Sequence, residues 1–89
     1  MNDVDTYGQE LQQAVALLSD AGFPSEIRGE CNARFVFAEC GTKAVEMSRD
    51  GDSVFIEFWN GPNEDPSVRD ELQDTFEVAV ERTTEWFNQ

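Results

Sequence analysis

The sequence predicts an α+β fold, a small two-layer sandwich in which two helices cover one face of an antiparallel β-meander of three to four strands. Three observations carry this expectation. Apolar residues recur at helical spacing near both ends of the 89-residue chain. Between them, apolar and polar residues alternate with period two. Glycine-bearing turn signals separate the alternating runs. Leu, Ile, Val and Phe make up about a quarter of the residues, above the roughly 20% below which strongly charged chains stay disordered. The length suits a single domain over residues 1–89, near the lower limit for a fold without staples.

The first helix is expected over residues 4–21, where Val4, Tyr7, Leu11, Ala14, Val15 and Leu18 share one face. Thr6-Tyr7-Gly8-Gln9 has the form of a capping box, and Asp3 or Asp5 offers an alternative start. The stop is Ala21-Gly22-Phe23-Pro24. Gly takes the left-handed position, Phe23 folds back onto the last turn and Pro24 forbids continuation.

Strands are expected at residues 25–30, 33–39, 43–49 and 53–59. The first is the weakest, because Ile27 is its only apolar residue. Asp50-Gly51 reads as a two-residue hairpin loop, pairing Met47 with Val54, Val45 with Ile56 and Lys43 with Phe58. A three-residue loop, Glu39-Cys40-Gly41, sets Phe35 opposite Val45. Ile27, Phe35, Phe37, Val45, Met47, Val54, Ile56 and Phe58 then point at the helices. Phe55, Trp59 and Val36 point away, onto the second sheet face.

The second helix is expected over residues 66–87, starting with Asp65 as cap and Pro66 at its first position, or with Ser67 as cap. Val68, Leu72, Phe76, Ala79, Val80, Thr83, Trp86 and Phe87 fall on one side of it. Asp70, Asp74, Glu77, Glu81 and Glu85 fall on the other.

That acidic stripe is the leading candidate for a binding surface. With 19 Asp or Glu, 6 Lys or Arg and no His, the formal net charge is −13. Residues 1–24 carry a net −4, residues 25–60 a net −3 and residues 61–89 a net −6. A solvated helix back usually mixes charge signs for i,i+4 pairing, and this one does not. The expected partner is therefore a basic protein, steered by charge. Nucleic acid and membrane are not expected partners, since both demand Lys and Arg. Phe55, Trp59 and Val36 form a second candidate surface, suited to a homodimer or a partner groove unless a loop or the N-terminal segment covers them. The alternative to both is a soluble small domain whose acidity reflects a saline setting, where screening makes −13 inexpensive. One Lys beside five Arg fits that alternative; eight Asp against eleven Glu does not favour it.

Chemistry is not expected. The absence of His removes the commonest neutral-pH base and metal ligand. Glu46 and Glu57, near Phe55, are the only carboxylates with apolar neighbours, and an inward-pointing edge charge accounts for them. Asp50-Gly51-Asp52 and Asn63-Glu64-Asp65 lack the spacing of a calcium loop. Cys31 and Cys40 lie too far apart along an extended segment to pair and are too few for zinc. No catalytic, metal or cofactor-binding residue is assigned and no cofactor is expected. Two free thiols, an acidic N-terminus and no long apolar run point to the cytoplasm. Size, acidity and element order are compatible with the architecture of small cytoplasmic immunity proteins and secretion chaperones, but no motif specifies either. The expected role, a non-enzymatic acidic protein-binding module, rests on the segregated charge and the second apolar sheet face.

Overall fold

Asp5 starts the first helix, and its side chain accepts a hydrogen bond from the Gly8 amide at 3.0 Å. In the computed structural model, which describes residues 5–60 and 69–89, helix α1 runs Thr6–Asp20. Asp3 and Val4 lie outside the described residues. The stop follows the expected geometry. Gly22 takes a φ of +93°, its amide bonds the Ser19 carbonyl, and the Phe23 amide bonds the Leu18 carbonyl. Phe23 folds back and meets the Phe87 ring at 5.0 Å.

Five strands follow, not three or four: β1 (Ser25–Arg28), β2 (Phe35–Cys40), β3 (Lys43–Asp50), β4 (Ser53–Asn60) and β5 (Arg69–Gln73). They pair antiparallel in sequence order, and a single 3₁₀ turn, Cys31–Ala33, links the first two. Helix α2 (Phe76–Phe87) closes the described chain. The fold is thus α+β.

Both hairpin loops differ from expectation by a shift of the turn. The β3–β4 loop is Gly51-Asp52, closed by Asp50 opposite Ser53. Gly51 alone has positive φ (+62°). That pattern belongs to the turn with Gly first, whereas Asp50-Gly51 would need positive φ at both positions. Met47 consequently faces Ile56, and Val45 faces Phe58. The partners move by two residues, so every side chain keeps its face.

The β2–β3 loop is Gly41-Thr42, closed by Cys40 opposite Lys43, with Gly41 again at positive φ. Here the shift from the expected three-residue loop is odd, and odd shifts invert a strand. Val36 and Ala38, rather than Phe35 and Phe37, lie beneath the helices, both essentially inaccessible. Placing Val36 on the second face is therefore wrong. The small side chains suit the space beneath α1, which packs on β1 and β2 through Leu11, Ala14 and Leu18.

The core is one cluster between the layers. Val36, Ala38, Val45, Met47, Val54, Ile56 and Phe58 come from the sheet; Leu11, Ala14 and Leu18 from α1; Phe76, Ala79, Val80, Trp86 and Phe87 from α2. The expected helix over residues 66–87 is replaced at its start by β5. Asp65, Pro66, Ser67 and Val68 lie outside the described residues. Thr75 caps α2, accepting from the Val78 amide at 3.2 Å. Strand β5 presents Arg69, Glu71 and Gln73 to the helix layer, and Glu71 accepts hydrogen bonds from Arg82 on α2 at 3.0 and 3.1 Å. An ionic clasp stands where an apolar contact would ordinarily attach a strand. Both cysteines are free thiols.

Candidate functional site

The basic side chains are all consumed inside the fold. Arg34 pairs with Asp5, Arg49 with Glu10, Arg28 with Glu26, Arg69 with Glu71, and Arg82 with both Glu71 and Glu85. Lys43 donates to the carbonyls of Trp86 and Gln89 at 2.9 and 3.0 Å. Most of these cations also lie over aromatic rings, Arg28 on Phe37 at 3.8 Å and Lys43 on Trp86 at 4.8 Å. Each fastens one element to another or rigidifies a turn. Asp70, Asp74, Glu77 and Glu81 make no ion pair among the described residues and are exposed.

The expected five-acid helix stripe does not exist as one row. Glu77, Glu81 and Glu85 do share an exposed side of α2, with Glu85 neutralised by Arg82 at 2.8 Å. Asp74 stands in the bend before the helix. Asp70 lies on β5, opposite Glu57, on the far side of the sheet from α2. The helical arc that grouped them extends into residues that are strand. Helix α1 adds little: its solvent side is Thr6, Gln9, Gln12, Gln13, Ala16 and Ser19, with Asp20 at its end.

The second sheet face is more developed than the sequence suggests. Phe35, Phe37, Phe55 and Trp59 are half-buried on it, and Leu72 is 59% exposed. No described element covers this face; both helices pack on the other. Across all five strands the register aligns Glu26, Phe37, Glu46, Glu57 and Asp70 side by side. Four carboxylates thus cross the sheet in one line. Aromatics flank the line on both sides: Phe55 and Leu72 are paired along one flank, and Trp59 stands opposite Ala44 on the other.

Glu46 registers the effect. Burial pushes its carboxyl above the ordinary carboxylate range, the adjacent Glu57 charge pushes it further, and Arg28 partly opposes them. Glu46 and Glu57 sit on the central strands β3 and β4, so they are not edge charges. A shallow pocket of about 150 Å³ beside them is bordered by Phe35 and Phe55, with Arg34 and Arg49 at its α1 end. Its depth does not enclose either carboxylate, both of which remain partly solvated.

Alignment of Glu26, Glu46, Glu57 and Asp70 escaped sequence reasoning because it needs the true β2–β3 register and the fifth strand. Among the described residues no group of three or more His, Cys, Asp or Glu is arranged to hold a metal ion. No helix among them is long and apolar enough to cross a membrane. Comparison of the chain with protein-family models, curated proteins and solved structures finds no significant match in any of the three.

Proposed function

We propose that the chain is a non-enzymatic acidic protein-binding module, chaperone-, inhibitor- or immunity-like, that engages a basic protein partner. One observation carries the reading. Every Lys and Arg is tied down within the fold, while the exposed Glu77 and Glu81 on α2, Asp74 before it and Asp70 on the open sheet face make no ion pair among the described residues. Such a molecule meets partners with one sign of charge, and complementary charge accelerates encounter and fixes register. The open aromatic face supplies the apolar contact that long-range charge alone does not give.

The test is titration with a set of cationic proteins across a salt series. A saturable complex that weakens as salt rises supports the reading. Only weak, non-saturable association with every cationic protein, together with stability that rises steeply toward molar salt, replaces it with acidity serving solubility in a saline setting. Self-association is measured in the same samples by sedimentation, because a homodimer through the open face is the other use such a surface can have.

A further inference from the structure

We infer that the open sheet face seats a cationic amphipathic helix of a partner protein, laid across the strands along the line Glu26–Glu46–Glu57–Asp70. This deepens the proposed function and rests on it.

Charge selects the occupant. The face carries Glu26, Glu46, Glu57 and Asp70 in one line. Among the described residues the cation pointing from its strands is Arg28, already paired with Glu26 and stacked on Phe37, while Arg34 and Arg49 at the pocket rim are held by Asp5 and Glu10. A second copy docked face to face would bring one carboxylate line against another, and among the described residues every Lys and Arg is already engaged. A basic apolar surface has no such conflict. Burial first, and then the adjacent Glu57 charge, raise the Glu46 carboxyl, and a partner cation set beside the pair opposes both.

Spacing selects the shape. Adjacent strands lie about 4.8 Å apart, so five strands set the carboxylate line over about 19 Å. An α-helix presents one side once per turn, about every 5.4 Å, and covers about 19 Å in roughly 13 residues. A Lys or Arg on successive turns then meets Glu46, Glu57 and Asp70 on β3, β4 and β5, and one two turns earlier meets Glu26 on β1, with an apolar residue between them over Phe37 on β2. An extended segment repeats its same-side residues every 6.8 Å or so and falls out of step within two strands. Apolar residues beside the basic stripe would rest on Phe55 and Leu72 on one flank and Trp59 on the other.

The probe is a synthetic helical peptide of about 18 residues, with lysines on one stripe at i, i+7, i+11 and i+14 spacing, a leucine at i+4 to meet Phe37, and leucines on both borders. Binding is read by calorimetry and by Trp59 fluorescence, with Trp59→Phe identifying that signal against the buried Trp86. The expected result is saturable binding at moderate salt that Glu46→Gln with Glu57→Gln weakens by about tenfold or more. The pair Glu77→Gln with Glu81→Gln on α2 leaves it unchanged. A peptide of the same composition with the lysines scattered binds at least about tenfold more weakly. Leu72→Ser, at an exposed position, provides a second variant independent of charge and weakens binding as well. Circular dichroism confirms that each variant is folded.

Binding lost only in the α2 pair overturns the inference and leaves the proposed function standing. The same holds if cationic proteins bind and the striped peptide does not. Failure of peptide and cationic proteins alike overturns both. A dimer that dissociates on Leu72→Ser assigns the face to a second copy and also overturns the inference.

Discussion

The Asp5 carboxylate and the Arg34 guanidinium meet through two parallel hydrogen bonds of 2.9 Å each, joining positions 29 residues apart. The same carboxylate caps α1 through the Gly8 amide, and Arg34 also donates to the Cys31 carbonyl at 2.7 Å. Beside them the Tyr7 hydroxyl donates to the Arg34 carbonyl at 2.6 Å and accepts from the Arg49 amide at 3.3 Å. One small polar knot therefore fixes the start of α1 to the β1–β2 connection and to β3. It sets the angle at which α1 lies over the sheet.

Asp5→Asn keeps a capping oxygen but removes the charge, so it isolates the ion pair. Arg34 foremost, then the Gly8 amide, hold the Asp5 carboxyl at about 2, against an ordinary value of 3.8. A carboxyl depressed on folding stabilises above its unfolded value and loses that contribution as pH falls through its folded value. Thermal denaturation should therefore show the variant less stable than the native chain at pH 7. The gap closes between about pH 4 and pH 2. A gap that stays constant over that window removes the ion pair as its cause.

Gly8 is the knot's steric condition. A Cβ at this helical position would stand 2.8 Å from the Asp5 Cγ and 3.0 Å from an Arg34 nitrogen. Replacing an interior helical Gly by Ala normally gains about 1 kcal/mol. Here overlap with the cap outweighs the gain, and Gly8→Ala is expected to cost about 1–3 kcal/mol in denaturant unfolding. Gly8→Ala in an Asp5→Ala background should recover part of its normal benefit, because the overlapping group is gone.

Val36 and Phe37 test the inverted strand. Val36 is fully buried beneath the helices, so Val36→Ala is expected to cost about 2 kcal/mol through lost contacts and a cavity. Phe37 is the larger residue but half-buried on the open face under Arg28, and Phe37→Thr should cost about 1 kcal/mol or less. The opposite ranking of the urea midpoints would restore the face assignment that size alone suggests.

That pair also shows what the sequence makes legible. The α1 stop, the alternation of β3 and β4 and the buried half of α2 follow from local rules, and Gly22, Met47 and Trp86 behave as those rules require. Alternation identifies β2 but cannot say which parity faces in, because both of its sides are apolar. The β2–β3 turn decides, and a one-residue difference in loop length inverts the strand. Strand β5 is hidden for a different reason. Val68, Leu72 and Phe76 recur at intervals of four, yet Leu72 lies on the open face and Glu71 with Arg82 attaches the strand ionically. The open acidic line is a product of both, which is why composition shows its charge and not its position.

Lys43 joins the sheet to the C-terminal end of α2. Its ammonium donates to two carbonyls there and lies over the Trp86 ring, so it satisfies backbone acceptors and opposes the negative end of the helix dipole. Lys43→Met preserves the stem and removes the charge. It is expected to cost about 1 kcal/mol, with faster amide exchange over residues 84–88 as the local signature. Loss of stability without that local change would place the role of Lys43 elsewhere.

Glu46→Gln is expected to stabilise the fold. Burial first, then the Glu57 charge, raise the Glu46 carboxyl, while Arg28 on β1 lowers it in part; Phe37 is its other cross-strand neighbour. An acid whose pKa rises on folding is carried at a cost above its folded value, and the cost disappears as pH falls toward its unfolded value. Gln keeps the shape and removes the charge. The gain near pH 7 should be on the order of 0.5 kcal/mol, the scale of an opposed like-charge pair screened by solvent. It should fade on acidification as the native Glu46 takes up its proton, and it should shrink in a Glu57→Gln background, where half of the like-charge pair is already gone. A natural surface that keeps such a pair at the centre of an open sheet forgoes stability there. A cationic partner returns it, so the Glu46→Gln chain should be the more stable alone and the weaker binder. Unfolding and peptide titration on the same two proteins read both signs, and a variant that gains stability without losing affinity separates the carboxylate line from recognition.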